Sequence, residues 1–204
     1  MLTGISIPFL NLLIIFISYL VGSISFGLII VRLMKLGDLR AIGSGNIGAT
    51  NVLRTGNKLA ASLTLLLDGG KGALIVFLSF QILDSISLQI ATLAVFLGHL
   101  FPVWSKFKGG KGVATFLGII LALSPISGIS ACLIWMLVAV IFKRSSLSAI
   151  LSAITVPFWL WHFNSKEFIF LSIVLNIFLI IKHRHNIARL ISGTEPIIVL
   201  KNKA

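Results

Sequence analysis

Residues 7–31 read IPFLNLLIIFISYLVGSISFGLIIV, a stretch of apolar and small polar side chains without a charge. At a rise of ~1.5 Å per residue, a helix of this length crosses the ~30 Å hydrocarbon layer of a bilayer. No basic segment precedes the stretch, and polar, glycine-rich sequence follows it, which does not match a cleaved secretion signal. The stretch therefore predicts a transmembrane helix.

The composition of the whole chain extends this prediction. Of its 204 residues, 57% are hydrophobic and 11% are charged, and the mean hydropathy is +1.09, which is too apolar for one soluble core. Apolar runs bounded by Gly, Pro and charge predict six further spans at 59–83, 86–104, 113–123, 126–142, 147–163 and 168–181. The linkers are short, so we expect a single membrane domain over residues 1–204.

The basic residues indicate how the spans are oriented, because Lys and Arg concentrate in short cytoplasmic loops. Those in alternate connections and in the carboxyl-terminal tail are Arg32, Lys35, Arg40, Arg54, Lys58, Lys106, Lys108, Lys111, Lys143, Arg144, Lys182, Arg184, Arg189, Lys201 and Lys203. This pattern predicts an all-α integral membrane protein of about seven transmembrane helices, some short or broken, with the amino terminus outside and the carboxyl terminus cytoplasmic. A five-span alternative merges 113–142 and must leave Lys143 and Arg144 outside, which the charge rule disfavours.

Two classes of function are excluded by charge and cysteine content. The net charge of +12 would suit nucleic acid, but here the basic residues lie in short loops between spans rather than on a soluble face. The single cysteine, Cys132, lies in an apolar run, so a disulfide framework or thiolate cluster is not available. We expect no nucleic acid, no metal and no cofactor.

Two basic loops are suited to phosphate. The first, residues 43–56, reads GSGNIGATNVLRTG, in which glycines expose backbone N–H groups, polar side chains add donors and Arg54 adds a bidentate cation. The second, residues 98–115, reads GHLFPVWSKFKGGKGVAT, and its glycines and Lys111 immediately precede an apolar helix whose N-terminus favours an anion. No Walker loop occurs, so nucleotide hydrolysis has no support.

A third basic segment, residues 182–196, reads KHRHNIARLISGTEP. On a helix, His183, Asn186 and Arg189 follow one another at three-residue intervals and share a face, which combines a proton acceptor, an amide and a cation. A snorkelling basic end to the last span would explain the cations equally well, but it explains Asn186 and Glu195 poorly.

A charged pair lies within the second predicted span, in the sequence DGGKG at residues 68–72. Burying Asp68 and Lys71 in hydrocarbon is costly unless they pair or face water. We therefore expect the helix to break here and to turn both side chains toward a polar cavity. Structural pairing and substrate contact both remain open for the pair.

The chain resembles the PlsY family, the bacterial acyl-phosphate:glycerol-3-phosphate acyltransferases, whose members carry these motifs in the same order. The resemblance rests on residues 22–27, which read GSISFG, on 44–54, on 68–72, on 98–115 and on 183–195, and it spans nearly the whole length. Two positions depart from the family pattern: Ser25 stands where Pro is common, and His185 stands where Glu is common.

The resemblance implies transfer of a fatty acyl group from acyl phosphate to the 1-hydroxyl of sn-glycerol 3-phosphate, giving lysophosphatidate and inorganic phosphate in the first committed step of phospholipid synthesis. It implies a bacterial inner-membrane enzyme facing the cytoplasm, with membrane lipid and acyl phosphate as partners and the acyl-phosphate-forming enzyme nearby. Its implied catalytic residues are Ser44, His183 and Asn186. The predicted substrate-binding residues are Asn46, Arg54, Lys106, Gly109, Gly110, Lys111, Gly112 and Arg144, and those with structural roles are Asp68, Lys71 and Glu195.

The mechanism and two other functions remain open at this level. Acyl phosphate is already activated, so we expect direct attack by the glycerol hydroxyl, with His183 or the donor phosphate as base and no acyl-Ser44 intermediate. A transporter for anionic solutes would use the same loops, but it would need polar residues in several spans. A non-catalytic scaffold would need neither His183 nor Asn186.

Overall fold

The computed structural model describes residues 7–198, and Lys201 and Lys203 lie outside that range. This part of the chain forms helices and turns without any β-strand. The α-helices are α1 Ile7–Gly22, α2 Phe26–Leu33, α3 Ala49–Leu53, α4 Lys58–Ile82, α5 Ser85–Leu100, α6 Val113–Leu123, α7 Pro125–Phe142, α8 Ser145–His162, α9 Ile169–Lys182 and α10 Arg184–Ile191. Single 3₁₀ turns lie at Leu39–Ala41, Val103–Ser105 and Lys166–Phe168.

Helices α4, α5 and α7 begin at residues that favour the start of a helix. The Asn57 side chain accepts a hydrogen bond from the backbone of Ala60 and opens α4, and Asp84 caps α5 in the same way. Pro125 stands in the first turn of α7, where its missing N–H has no helical partner to lose. The predicted spans agree with α4 to α9 to within a few residues, except for the third, whose predicted end at 104 lies in the Val103–Ser105 turn.

Separate helices α6 and α7 count against the five-span alternative, which merges 113–142 into one span. The chain breaks at Ser124, and the two helices pack on each other as a hairpin, with Gly128 directly against the backbone of Leu121. The Ser124 hydroxyl donates to Ser127 at 2.9 Å, which ties the turn to the start of α7.

The bundle is organised around α4 and α5. Helix α5 packs along α1, α4 packs along α6, and α7 packs along α8, with a core that includes Val76, Phe96, Phe116 and Leu175. The outer surface stays apolar, as a lipid-facing surface must, because most of the exposed large side chains are Leu, Ile, Val and Phe.

Length and apolar character identify three helices among residues 7–198 that can cross a membrane: Lys58–Ile82, Ser85–Ser105 and Pro125–Phe142. The bent pair Phe9–Gly22 and Phe26–Leu33 makes a fourth if it counts as one span, and Val113–Leu123 is apolar but shorter. The chain is an integral membrane protein, while seven spans and their orientation stay predictions.

One predicted span is broken, and one expected break is absent. The first predicted span is broken at residues 23–25, where its halves meet at an angle of 41°, although Ser25 and not Pro occupies the bend. The second predicted span is not broken, because α4 runs continuously through residues 68–72. Its charges are compensated within the bundle: Lys71 pairs with Asp68 at 3.1 Å and donates to two carbonyl oxygens at the bend.

Candidate active site

A cavity of about 900 Å³ opens where the basic loops meet the helix bundle. Its polar head, next to the loops, is lined by Ser44, Asn46, Thr50, Asn51, Arg54, Lys58, Lys111, Ser145, Ser146, His183, Asn186 and Glu195. Its apolar arm, between α4, α6 and α7, is lined by Leu65, Leu66, Ala73, Leu117, Leu121, Cys132, Trp135 and Met136. A cavity of this kind suits an amphiphilic ligand with an anionic head.

Asn51 organises the first loop. Its Oδ1 accepts hydrogen bonds from the Ser44 backbone at 3.2 Å and from Arg54 Nη1 at 3.1 Å, and its Nδ2 donates to the Leu39 carbonyl at 2.8 Å. Gly43 has a φ of +54°, and a Cβ there would meet Arg54 Cδ at 2.5 Å. The loop therefore fixes the guanidinium beside Ser44, in a position to hold an oxyanion.

Lys111 and the N-terminus of α6 form the second part of the head. Gly112 precedes α6 with a φ of +82°, and no side chain caps the first turn of this helix. The free N–H groups and the helix dipole favour an anion there. Burial lowers the pKa of Lys111 to about 8; Glu195 opposes this shift, and Arg189 and Arg54 add to it.

His183 lies at the junction of α9 and α10 and is almost completely buried. Its Nδ1 lies 2.8 Å from the Leu179 carbonyl oxygen, which can only accept, so Nδ1 carries the proton and Nε2 presents a lone pair. Burial lowers the pKa of His183 to about 4; the bond to Leu179 opposes the shift, and Lys111 adds to it. The ring is therefore neutral at pH 7.

Glu195 joins three segments around the head. Its Oε1 accepts hydrogen bonds from Ser146 Oγ and Asn186 Nδ2, both at 2.6 Å, and its Oε2 accepts from Arg189 Nε at 2.7 Å. Burial acts to raise the pKa of Glu195, but these hydrogen bonds outweigh burial and the pKa is lowered. Arg189 is thus turned to Glu195 and does not share the cavity lining with His183 and Asn186.

The structure brings most of the candidate residues from the sequence to this cavity. Lining it are Ser44, Asn46, Arg54, Asp68, Lys111, Gly112, His183, Asn186 and Glu195. The remaining candidates among the described residues do not line it. Lys106 is exposed on the turn after Val103–Ser105, Arg144 precedes α8, Lys71 faces the bend between α1 and α2, and Gly109 and Gly110 pack on His99. The substrate contacts predicted for Lys106, Gly109, Gly110 and Arg144 stay predictions, as does the structural role predicted for Lys71.

Several residues of the site carried no signal in the sequence. Ser146 is one of two serines that open α8, and nothing in its local sequence indicates a bond to a residue 49 positions later. The polar side chains of residues 43–56 were predicted as donors, which gives no indication that the oxygen of Asn51 accepts a bond from Arg54 and orients it. Trp135 and Met136 lie in an apolar run that the sequence assigns only to a span.

Comparisons with known proteins agree with one another. A family model described as glycerol-3-phosphate acyltransferase matches residues 12–193. The glycerol-3-phosphate acyltransferase of Dinoroseobacter shibae is 53% identical over 186 residues, covering 91% of this chain and 92% of the relative. That of Bartonella quintana is 49% identical over 191 residues, covering 91% and 90%.

Solved structures give the same result. The crystal structure of PlsY (YgiH), an integral membrane glycerol 3-phosphate acyltransferase, in its glycerol 3-phosphate form has a TM-score of 0.88 and 38% identity, and the match covers 93% of this chain and 96% of that chain. The lysophosphatidic acid form has a TM-score of 0.85 and 37% identity, with the same coverage.

Proposed function

The chain belongs to the PlsY family of integral membrane glycerol-3-phosphate acyltransferases, and on this premise we propose that it transfers a fatty acyl group from acyl phosphate to the 1-hydroxyl of sn-glycerol 3-phosphate. The products are lysophosphatidate and inorganic phosphate, in the first committed step of phospholipid synthesis. The observation that carries the proposal is the cavity itself, whose cationic polar head continues into an apolar arm. Family membership sets aside the transporter and scaffold hypotheses.

The two substrates differ in ways that the cavity matches. Glycerol 3-phosphate is soluble and dianionic, so it needs only the polar head, where Arg54, Lys58 and Lys111 supply positive charge. Acyl phosphate needs the head for its phosphate and an apolar channel for its tail. On α4 the lining runs from Lys58 to Ala73, about 22 Å at ~1.5 Å per residue, which suits a long acyl chain.

In the proposed reaction, the glycerol hydroxyl oxygen attacks the acyl carbonyl carbon and forms the ester bond. The bond between that carbon and the phosphate oxygen breaks, and phosphate leaves with the electron pair. Lys111 and the N–H groups of α6 stabilise the departing charge, while Ser44 and Asn186 orient the hydroxyl or the carbonyl. Neither a covalent enzyme intermediate nor a cofactor is required.

The hydroxyl proton has two candidate acceptors, and the environment of His183 favours one. With a pKa of about 4, His183 is a weak base. A phosphate with a second pKa of about 6 is the stronger base of the two. We assign the proton of the attacking 1-hydroxyl to a phosphate oxygen of the donor. His183 Nε2 instead accepts a hydrogen bond from the neighbouring 2-hydroxyl and so holds the glycerol in line.

We further propose that the site faces the cytoplasm of a bacterial inner membrane. Lys58, Lys111 and the His183 segment, which line the polar head, belong to the connections in which Lys and Arg concentrate. Both substrates can then be supplied from the cytoplasmic side, acyl phosphate laterally from the lipid and glycerol 3-phosphate from water.

A reconstituted assay tests this function. Purified protein in detergent receives palmitoyl phosphate and glycerol 3-phosphate, and lysophosphatidate and phosphate should appear in equal amounts. Arg54→Ala, which removes a cation of the head, should reduce the rate strongly, and palmitoyl-CoA should not replace the donor. Absence of lysophosphatidate would refute the proposal. An acyl group found on Ser44 after incubation with palmitoyl phosphate alone would refute direct attack but not the overall transfer.

A further inference from the structure

The break between α1 and α2 exposes helix ends inside the bundle. Helix α1 ends at Gly22 and α2 begins at Phe26, and the Ser25 side chain makes no capping bond. Carbonyl groups at the end of a helix and N–H groups at its start have no intrahelical partner, and within a membrane they need one from the protein. The backbone groups at this break therefore need hydrogen-bond partners from other parts of the protein.

The charged pair on α4 meets that need. Lys71 is 4% exposed, and its Nζ donates to the carbonyl oxygens of Gly22 at 2.9 Å and Ile24 at 2.6 Å. Asp68 pairs with the same Nζ at 3.1 Å, and the backbone N–H of Phe26 faces its carboxyl. The cation thus lies at the negative end of α1, and the anion lies at the positive end of α2.

From the break, contact continues to the first loop. Gly27 of α2 lies directly against the carbonyl oxygen of Ile47, and a Cβ at this position would collide with it. Ile47 is buried and lies in the loop between Ser44 and Arg54. A displaced α2 would therefore displace the loop that holds the guanidinium.

From the same ion pair, contact also continues to the second loop. His99 Nδ1 lies 3.7 Å from Asp68 Oδ1, the oxygen that pairs with Lys71, and this buried Nδ1 has no hydrogen-bond partner within the described residues. The ring of His99 presents Nε2 to Gly110, whose backbone N–H donates to the His99 carbonyl at 3.2 Å. Gly110 adjoins Lys111, so the imidazole stands between the ion pair and the glycine-rich loop.

We propose that Asp68, Lys71 and His99 are positioning residues for acyl transfer, a single buried network that sets the placement of the Arg54 loop relative to the Lys111 loop. The inference rests on the proposed function, because it assumes that each loop holds one phosphate of the reacting pair. Both Asp68 and His99 also reach the cavity lining, so the network adjoins the site. Its residues act through the loops rather than on the reacting atoms.

The test separates positioning from stability. Lys71→Met and His99→Phe remove the polar atoms and keep an apolar side chain of similar shape, and we expect kcat to fall about 100-fold, as for a displacement of about 1 Å at a reacting centre. Thermal unfolding in detergent should show both variants folded at the assay temperature. Thr92→Val is the matched control, because Thr92 is buried on α5 and bonds only within its own helix. It should retain wild-type kcat.

Two further variants identify the nitrogen of His99 that matters. The amide of His99→Asn places a polar atom near the position of Nδ1, and the longer amide of His99→Gln places one near the position of Nε2. Nδ1 is the nitrogen that faces Asp68, at 3.7 Å. We therefore expect His99→Asn to keep kcat within about threefold of wild type and His99→Gln to lose activity as His99→Phe does. The double variant Lys71→Met/His99→Phe should lose no more than the worse single variant, because the two share one network.

Three results would overturn the inference. One is a kcat of wild-type size in both Lys71→Met and His99→Phe. Another is a loss of activity that is fully explained by the fraction of protein that is unfolded. A third is a double variant whose loss of kcat equals the product of the two single losses. Failure of the proposed function is distinguishable, because the wild-type protein would then form no lysophosphatidate at all.

Discussion

His183 and Leu179 lie one helical turn apart, and the imidazole Nδ1–H donates to the Leu179 carbonyl oxygen at 2.8 Å. This bond fixes the tautomer and leaves only Nε2 to face the cavity. A histidine held in this way is prepared to accept a hydrogen bond, while its burial disfavours holding a proton. The distinction has consequences that kinetics can measure.

The first prediction concerns His183. His183→Ala should lower kcat about 100-fold or more, and His183→Gln, whose amide can reach the Nε2 position, should recover part of the loss. Because the pKa of His183 is about 4, the ring stays neutral between pH 5 and pH 8. The pH profiles of wild type and His183→Gln should therefore have the same shape. An inflection near pH 6.5 that is present only in the wild type would show that His183 is the base.

The second prediction concerns Lys111, whose pKa of about 8 makes its charge depend on pH in the working range. The protonated form binds phosphate, so kcat/KM should fall as pH rises through about 8. Lys111→Arg keeps its charge at every accessible pH, and its profile should stay flat there, at a lower level because the geometry differs. A wild-type profile that is flat up to pH 10 would contradict this role.

A third prediction tests Asn51, which holds Arg54 in place. Asn51→Ala should raise the KM of the substrate whose phosphate Arg54 binds by about tenfold, the size expected for a lost orienting bond to a charged group. Asn51→Asp should be worse, because a carboxylate would pair with the guanidinium and compete with the phosphate. Thr55→Val is the control, since Thr55 lies on the same turn and its hydroxyl bonds only to local backbone, donating to the Val52 carbonyl and accepting from the Asn57 N–H. A wild-type KM in both Asn51→Ala and Asn51→Asp would disprove the role of Asn51 in holding Arg54.

Glu195 gives a fourth prediction, on stability. In Glu195→Gln the amide cannot accept all three bonds, so unfolding free energy should fall by about 1–3 kcal/mol at pH 7. The lowered pKa of Glu195 means that its stabilisation is full above the ordinary value of 4.5 and is lost as pH falls below it. The difference in melting temperature between wild type and Glu195→Gln should therefore shrink at low pH. The exposed Glu167→Gln variant should show no difference at either pH.

The fifth prediction concerns chain length. Ala73 and Leu121 line the apolar arm, so Ala73→Leu and Leu121→Trp, which add bulk there, should shorten it. In competition, preference should move about tenfold from palmitoyl phosphate toward lauroyl phosphate. Leu74→Trp adds bulk at the next position, on the exposed face of α4, and should leave the ratio unchanged. An unchanged ratio in the arm variants would show that the acyl chain lies elsewhere.

Much of the fold could be predicted from the sequence because apolar runs end at charge, Gly and Pro. Helices α4 to α9 follow those signals closely. The break at residues 23–25 follows Gly22 but has neither Pro nor charge, so the uncharged stretch 7–31 was predicted as a single span. Lys71, whose side chain bonds to the backbone at this break, lies 47 to 49 residues later in the chain. The break and the continuous α4 therefore both depend on contacts between helices.

The candidate site was predictable to the extent that chemistry follows residue type. Arg, Lys, His and Asn in glycine-rich loops indicated an anion site, and most of these residues do line one cavity. The contacts that hold the site residues in place were not predictable. Ser146 reaches Glu195, and Asn51 turns its oxygen to Arg54, and these pairings depend on how loops distant in sequence meet.

The ion pair at the bend also bears on how the chain is assembled during synthesis. The carbonyl groups that receive Lys71 belong to a hydrophobic segment that leaves the ribosome before the segment that carries Lys71. A charged segment entering the bilayer alone would carry a large penalty. Insertion of α4 should therefore proceed against an α1 and α2 that are already inserted, which makes the order of synthesis part of how this protein reaches its native state.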